Sequence, residues 1–224
     1  ILDADDYYFK DRLNIMIREA KNNSADVIAG DIVFADLNQK ITAETLFTRE
    51  KNKVLTKTWL TPEVFVKENI PERTCMRLGL IKPLFHSQFL KSHQLKYDSE
   101  LWFAEDFEFY TRCLLSGARF LLLPIETYIY CRRPQGLTGS HKFKTSYYLA
   151  KGNKKLLTCA KEVKNARLIK LLTIRGKYID RLRVIMFFDL LKKAEMGILF
   201  KYLLTPLEFV KLASIKIKWV IIKK

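Results

Sequence analysis

Two acidic stretches and one basic loop concentrate the side chains with which this 224-residue chain could do chemistry. The first is Asp3-Ala4-Asp5, with Asp6 beside it, directly behind the apolar pair Ile1-Leu2. Hard divalent cations such as Mg²⁺ and Mn²⁺ take oxygen ligands, commonly one or two carboxylates completed by substrate phosphate oxygens. Two Asp separated by one residue just past a strand end can point at one such ion, and open α/β sheets bind ligands beyond the carboxyl ends of their strands. The same triplet also reads as a solvated turn. The second stretch is Ala104-Glu105-Asp106, at the start of a helical pattern. An acid there is either dipole compensation and capping or a general base for an attacking hydroxyl. The third is Cys131-Arg132-Arg133-Pro134, followed by Thr138-Gly139-Ser140-His141. Arg forks and small hydroxyls suit a diphosphate, and a solvated basic loop has the same composition. His141 reads either as a metal or phosphate contact or as a structural or exposed residue.

The elements that must position these groups follow from periodicity. Ile1-Leu2 is expected to be the tail of a buried strand and Asp3–Tyr8 the loop after it. Leu13, Ile17 and Ala20 recur at helical spacing, predicting a helix over about Lys10–Asn22, with Asn22-Asn23-Ser24 as its stop. Asp26–Ala35 is apolar and β-branched enough for a central strand. Strand, acidic loop, helix and strand in that order predict an α/β layer. Thr61-Pro62-Glu63 is a helix start, with Thr as the cap and Pro in the first turn. Ser87–His93 also reads as helical. Glu105–Ser116 reads as a helix ending at Gly117, with Glu108 and Arg112 spaced for an i,i+4 pair. Arg119–Cys131 holds strand material around Pro124. From about Thr145 acids thin out and helical periodicity runs through Lys192. The closing TPLEFVKLASIKIKWVIIKK reads as a helix, although IKIKWVII also alternates like a strand.

Composition bounds the rest. A chain that is 49% hydrophobic with only 8 Gly and 6 Pro can bury a sizeable core in one or two domains, which argues against disorder. A formal charge of +16 usually faces something anionic: nucleic acid, a phosphorylated substrate or a membrane leaflet. The four cysteines (Cys75, Cys113, Cys131, Cys159) form no CxxC pair and the chain has three histidines, which argues against a zinc cluster and for a reduced, cytoplasmic setting. No signal-peptide pattern stands at the start, and apolar stretches such as Val184–Phe188 and Met196–Phe200 are too short to span a bilayer.

Read together, LDADDYY, ADVIAGD, LKYDSELWFAEDFEFYTRCLLSGARF and IYCRRPQGLTGS resemble the GT-A type glycosyltransferases of family 2, in particular the bacterial enzymes that build capsule, exopolysaccharide and lipopolysaccharide chains. The family's LDxDD strand end is matched by Leu2–Asp6, its acid-pair helix by Tyr97-Asp98 through Gly117, and its Tyr-Arg-Thr loop by Tyr130–Thr138. The resemblance covers about Ile1–Ser140. It implies an α/β fold, a partial GT-A (Rossmann-like) nucleotide-diphospho-sugar transferase domain over 1–144, followed by a basic helical extension over 145–224. The implied activity is inverting transfer of a sugar from a nucleotide-diphospho-sugar, a UDP-sugar above all, to a hydroxyl of a glycan or lipid-linked acceptor. Asp5 matches the position that binds Mn²⁺ or Mg²⁺ most directly, and Asp3 the one that helps hold the metal or the donor ribose. Asp106 matches the base that deprotonates the acceptor, with Glu105 orienting it. Arg132 or Arg133 matches the group that neutralises the leaving diphosphate.

Two departures carry expectations of their own. The family's preceding βα units, which bind base and ribose, are absent, so this stretch alone is expected to bind donor poorly and to be inactive. The QxxRW signature of processive members is missing, since Gln135 is followed by Gly-Leu-Thr, and addition of a single sugar is expected. The basic extension suits peripheral attachment at the inner face of the cytoplasmic membrane, and it equally suits a helical appendage packed on the catalytic domain. Two rival readings are a metal-dependent nuclease or phosphotransferase, for which no converging further ligand or Lys is legible, and a basic nucleic-acid-binding module. Against the latter, the aromatics fall in apolar runs instead of alternating with Arg on an open face, so nucleic acid is not an expected partner.

Overall fold

The structure is a computed structural model that describes residues 2–36, 40–48, 54–70, 77–131 and 142–192. In chain order its elements are β1 (Tyr7–Tyr8), α1 (Arg12–Asn23), β2 (Val27–Ala35), β3 (Ile41–Thr45), β4 (Thr58–Leu60), α2 (Pro62–Lys67), β5 (Leu84–Phe85), α3 (Ser87–Ser92), α4 (Glu105–Leu115), β6 (Phe120–Cys131), α5 (Lys142–Glu162) and α6 (Ala166–Lys192). This is the mixed α/β class expected from the sequence.

The two apolar, β-branched runs β2 and β6 form the parallel centre of a six-stranded sheet. Every residue of β2 is buried, as a strand covered on both faces requires. The pairing slips at two successive steps. Gly30 faces Leu123, Asp31 faces Glu126 and Ile32 faces Tyr128, so Pro124, Ile125 and Thr127 are extra residues on β6 and form one bulged stretch. Proline has no N–H to give a ladder, and a bulge is where a strand tolerates it. The sheet changes partners at that point. β4 and β5 flank β6 and β2 before the bulge, through Leu60↔Phe120 and Val27↔Phe85. After it, β1 and β3 take those edges, through Tyr8↔Tyr128 and Val33↔Thr45.

The local helix signals operate as read. The Thr61 hydroxyl accepts the Val64 N–H at 3.3 Å to cap α2. Glu108 takes two hydrogen bonds from Arg112, at 2.7 and 2.9 Å, and Gly117 follows α4 with φ of 86°, the left-handed region that glycine enters freely. Two expectations at the front of the chain are corrected. Tyr7-Tyr8 is a short strand, because its backbone finds partners on the free edge of β6, and Leu2 is exposed and irregular instead of buried in a strand.

α5 and α6 pack against each other and onto the sheet layer through α4 and α2. Leu156, Ala160, Leu168 and Leu172 belong to the same buried cluster as Phe65, Phe107, Tyr110 and Phe120. The Arg175 guanidinium of α6 lies 3.8 Å from the centre of the Phe107 ring and donates to the Asn69 carbonyl and to Asn153 Oδ1. The described helices of the basic region therefore share one core with the sheet. None of them is long and apolar enough to cross a membrane.

Candidate functional site

The DADD stretch folds as a turn held from behind. The Asp6 N–H donates to the Asp3 carbonyl, and buried Asp6 turns its carboxylate inward. Tyr128 Oη donates to Asp6 Oδ2 at 2.7 Å and the Cys131 N–H donates to Asp6 Oδ1 at 2.9 Å. Burial pushes the Asp6 carboxyl upward from its ordinary range, opposed by those two hydrogen bonds. Asp6 is thus the brace of the turn, fixing it to the last residues of β6. Replacing Tyr128 with Phe is expected to cost about 1–3 kcal/mol, because one oxygen of a buried carboxylate loses its donor. Urea denaturation measures this, and an unchanged midpoint would count against the brace.

Outward from that turn, Asp3 faces Asp106 across a lysine. Lys82 Nζ is 3.0 Å from Asp3 Oδ2 and 3.8 Å from Asp106 Oδ2. Its side chain is only 15% exposed. Burial alone would lower the Lys82 ammonium, but the charges of Asp106 and Asp3 outweigh it and hold the group above its usual value. The other Asp106 oxygen, Oδ1, accepts from Tyr97 Oη at 2.9 Å and Tyr110 Oη at 3.1 Å. Burial, then the neighbouring Asp106 charge, keeps both phenols protonated as donors. Asp106 therefore has one oxygen fixed by phenols and the other turned toward Lys82.

The acid pair does not cap its helix by the ordinary route. The cap position of α4 is Ala104, in the left-handed region at φ of 61° and without a side-chain acceptor. The helix N-terminus favours negative charge, so the first turn that carries Glu105 and Asp106 is a favourable seat for carboxylates. Glu105 is pushed upward chiefly by burial.

Asp3, Lys82, Tyr97, Glu105, Asp106 and Tyr110 line one cleft of about 740 Å³, with Phe85, Leu90, Leu95, Leu101 and Phe109 forming much of its apolar wall. That size suits a drug-sized ligand held by a few polar groups on an apolar wall. Asp5 belongs to the same turn as Asp3 but is not among the cleft-lining residues. No three His, Cys, Asp or Glu side chains among the described residues converge to hold a metal ion. Arg132, Arg133 and Thr138–His141 lie outside the described residues, as do Cys75 and the TPLEF segment.

Sequence reasoning found Asp3 and Asp106 and missed Lys82, Tyr110 and Arg12, while Tyr97 was noted only as part of a motif. Arg12 opens α1, is buried, and lies over the Tyr8 and Tyr128 rings at 4.7 and 5.3 Å. It donates through Nη1 to Thr127 Oγ1 at 2.7 Å and through Nη2 to the Lys82 carbonyl. It connects the sheet bulge to the backbone that presents Lys82.

Fold and cleft together define an α/β domain with two carboxylates from distant segments brought to one lysine, an arrangement suited to moving a proton and steadying charge during group transfer. By sequence the chain is similar to two curated proteins of Rhizobium meliloti (strain 1021). It is 34% identical to succinoglycan biosynthesis protein ExoU over 149 residues, covering 63% of this chain and 40% of that protein. It is 29% identical to succinoglycan biosynthesis protein ExoO over 130 residues, covering 58% of this chain and 36% of that protein. The chain thus spans well under half the length of the curated relatives it matches. No protein-family model matches it. Among solved structures it is similar to S. aureus TarS 1-349 in complex with UDP-GlcNAc, at TM-score 0.47 and 15% identity, covering 83% of this chain and 46% of that one. The same protein crystallised alone gives TM-score 0.48 at 16% identity, over 78% of this chain and 45% of that one. Those scores are too low for the likeness to carry an argument.

Proposed function

We propose that this chain is the base-bearing part of an inverting glycosyltransferase that moves a single sugar from a nucleotide-diphospho-sugar to a hydroxyl of a glycan or lipid-linked acceptor in bacterial surface-polysaccharide synthesis. The observation that carries this reading is the convergence of Asp3 and Asp106 on one cleft across Lys82. The similarity to two succinoglycan biosynthesis proteins supports the pathway class.

In this reading Asp106 accepts the proton of the acceptor hydroxyl. Its Oδ1 is held by Tyr97 and Tyr110, which orients the carboxylate and leaves Oδ2 toward the cleft. Glu105, in the same first turn, supports the charge and shape of that edge. Asp3 and Asp5 would hold a Mn²⁺ or Mg²⁺ ion. Their fit is that of two hard oxygen donors on one turn, which Asp6 and Tyr128 keep rigid. Such an ion would supply positive charge to the donor diphosphate, whose oxygens and water would complete the coordination. Arg132 or Arg133 would neutralise the leaving diphosphate.

The test uses the full gene product that contains this chain. UDP-sugars with Mn²⁺ are expected to raise its melting temperature and support transfer, with EDTA abolishing both, whereas oligonucleotides produce no stabilisation. Stabilisation by oligonucleotides alone would replace this reading with nucleic-acid binding.

A further inference from the structure

We propose that Lys82 is a catalytic residue that contacts the leaving diphosphate of the donor, an assignment that rests on the glycosyltransferase reading above. Its place in the cleft carries the proposal. Lys82 Nζ lies within hydrogen-bond reach of Asp3, the donor-side acid, and 3.8 Å from Asp106, the acceptor-side acid. Inverting transfer places the incoming oxygen and the departing oxygen on opposite sides of the anomeric carbon. The base must face the first and the donor-side acids the second, so the reacting groups would occupy the space this ammonium bridges.

The surroundings make Lys82 more than a surface ion pair. Its side chain is mostly buried, and Arg12 holds its backbone carbonyl while itself anchored to Thr127. Pro83 follows immediately and restricts the backbone there. What remains adjustable is the four-carbon stem, which lets a compact ammonium with three N–H donors follow phosphate oxygens as charge builds on them. An anionic diphosphate entering beside Asp3 would be a stronger attractor than the single carboxylate it displaces.

The acceptor O–H bond breaks and its proton passes to Asp106, while the oxygen's electron pair forms the new bond to the anomeric carbon. The bond from that carbon to the diphosphate oxygen breaks, and its electron pair leaves with the nucleoside diphosphate. Lys82 acts on the charge that develops there, the situation in which a fixed positive group contributes most to rate.

The probes are UDP and uridine, with Lys82→Met and Lys82→Arg in the full gene product. Lys82→Met is expected to weaken UDP binding by about 10- to 100-fold, the worth of a charge-assisted hydrogen bond. Uridine, which lacks the phosphates, should bind both proteins alike. Turnover should fall by about 10²- to 10³-fold with acceptor KM little changed, and Lys82→Arg should restore part of both losses. Equal UDP affinity in wild type and Lys82→Met overturns the assignment while leaving the transferase reading standing. Failure of the wild type to bind UDP or GDP, or to transfer sugar, overturns both. If Lys82→Met does not fold, Lys82→Gln decides: it removes the charge and keeps a polar stem, so unaltered UDP binding and turnover in a folded Lys82→Gln overturn the role.

Discussion

Asp106→Asn is expected to lower sugar transfer by about 10²- to 10⁴-fold, the range a positioned general base contributes, while donor binding stays close to that of the wild type. The substitution is nearly isosteric. An Asn carbonyl can still accept from Tyr97 and Tyr110, as Asp106 Oδ1 does at 2.9 and 3.1 Å, so the side chain should keep its place. What changes is the other atom. Oδ2, the oxygen turned toward Lys82 and the cleft, becomes an amide nitrogen that cannot take a proton. Donor affinity is expected to be insulated because, in the function proposed above, the diphosphate would meet Lys82 and a cation held by Asp3 and Asp5, not Asp106. Single-turnover transfer with the full gene product, alongside calorimetric donor binding, separates the two effects. Retained turnover would remove Asp106 as the base; lost donor binding would make it a binding group instead.

The second large effect is expected at a residue that touches no substrate. A Cβ on Gly30 would lie 2.3 Å from Thr127 Oγ1, 2.4 Å from Thr127 Cγ2 and 2.9 Å from the Ile125 carbonyl oxygen. Two of those atoms belong to a short, branched side chain and one to backbone, so little can give. Gly30→Ala is expected to cost about 3 kcal/mol, the upper end of ordinary overpacking, and to lower the melting temperature by about 6–12 °C for a chain of this size. The cost is spatial, because a Cβ has no room where β6 bulges against β2. Thr127→Ala in the same background should return only part of the loss, since the Ile125 carbonyl remains and Arg12 loses its acceptor. The displacement should also reach the cleft, because Thr127 anchors Arg12 and Arg12 anchors the Lys82 carbonyl. Thermal and urea unfolding check the prediction, and an unchanged midpoint would show that the bulge relaxes freely.

Legibility in the sequence differed by how local each feature is. The Thr61 cap, the Glu108–Arg112 pair and the Gly117 stop involve residues within a few positions of one another, and each forms as read. The strands β2 and β6 were legible as apolar runs, but their bulge was not. Pro124 marks an interruption without saying that Gly30 must lie opposite it. Lys82 had no contrast to stand out by, being one of 40 Lys and Arg residues. The faint signal was its position between apolar residues in LIKPLF, where a solvated lysine gains nothing. Asp6 looked like one more acid of a metal-binding cluster, and only its donors, Tyr128 and Cys131, show it to be the brace.

By itself, the sequence determined which chemistry was at hand: carboxylates able to hold a cation or take a proton, and the α/β elements that carry them. Local spacing suffices for this because helix caps, strand runs and turn acids are set by neighbouring residues. Only the tertiary structure decided that Asp3 and Asp106 share a cleft, that Lys82 stands between them, and that Arg12 ties this lysine to the sheet bulge. The reason is physical. Side-chain convergence across distant segments is fixed by strand register, by where a ladder is broken, and by which faces the core buries, and none of these is a property of a short stretch of chain.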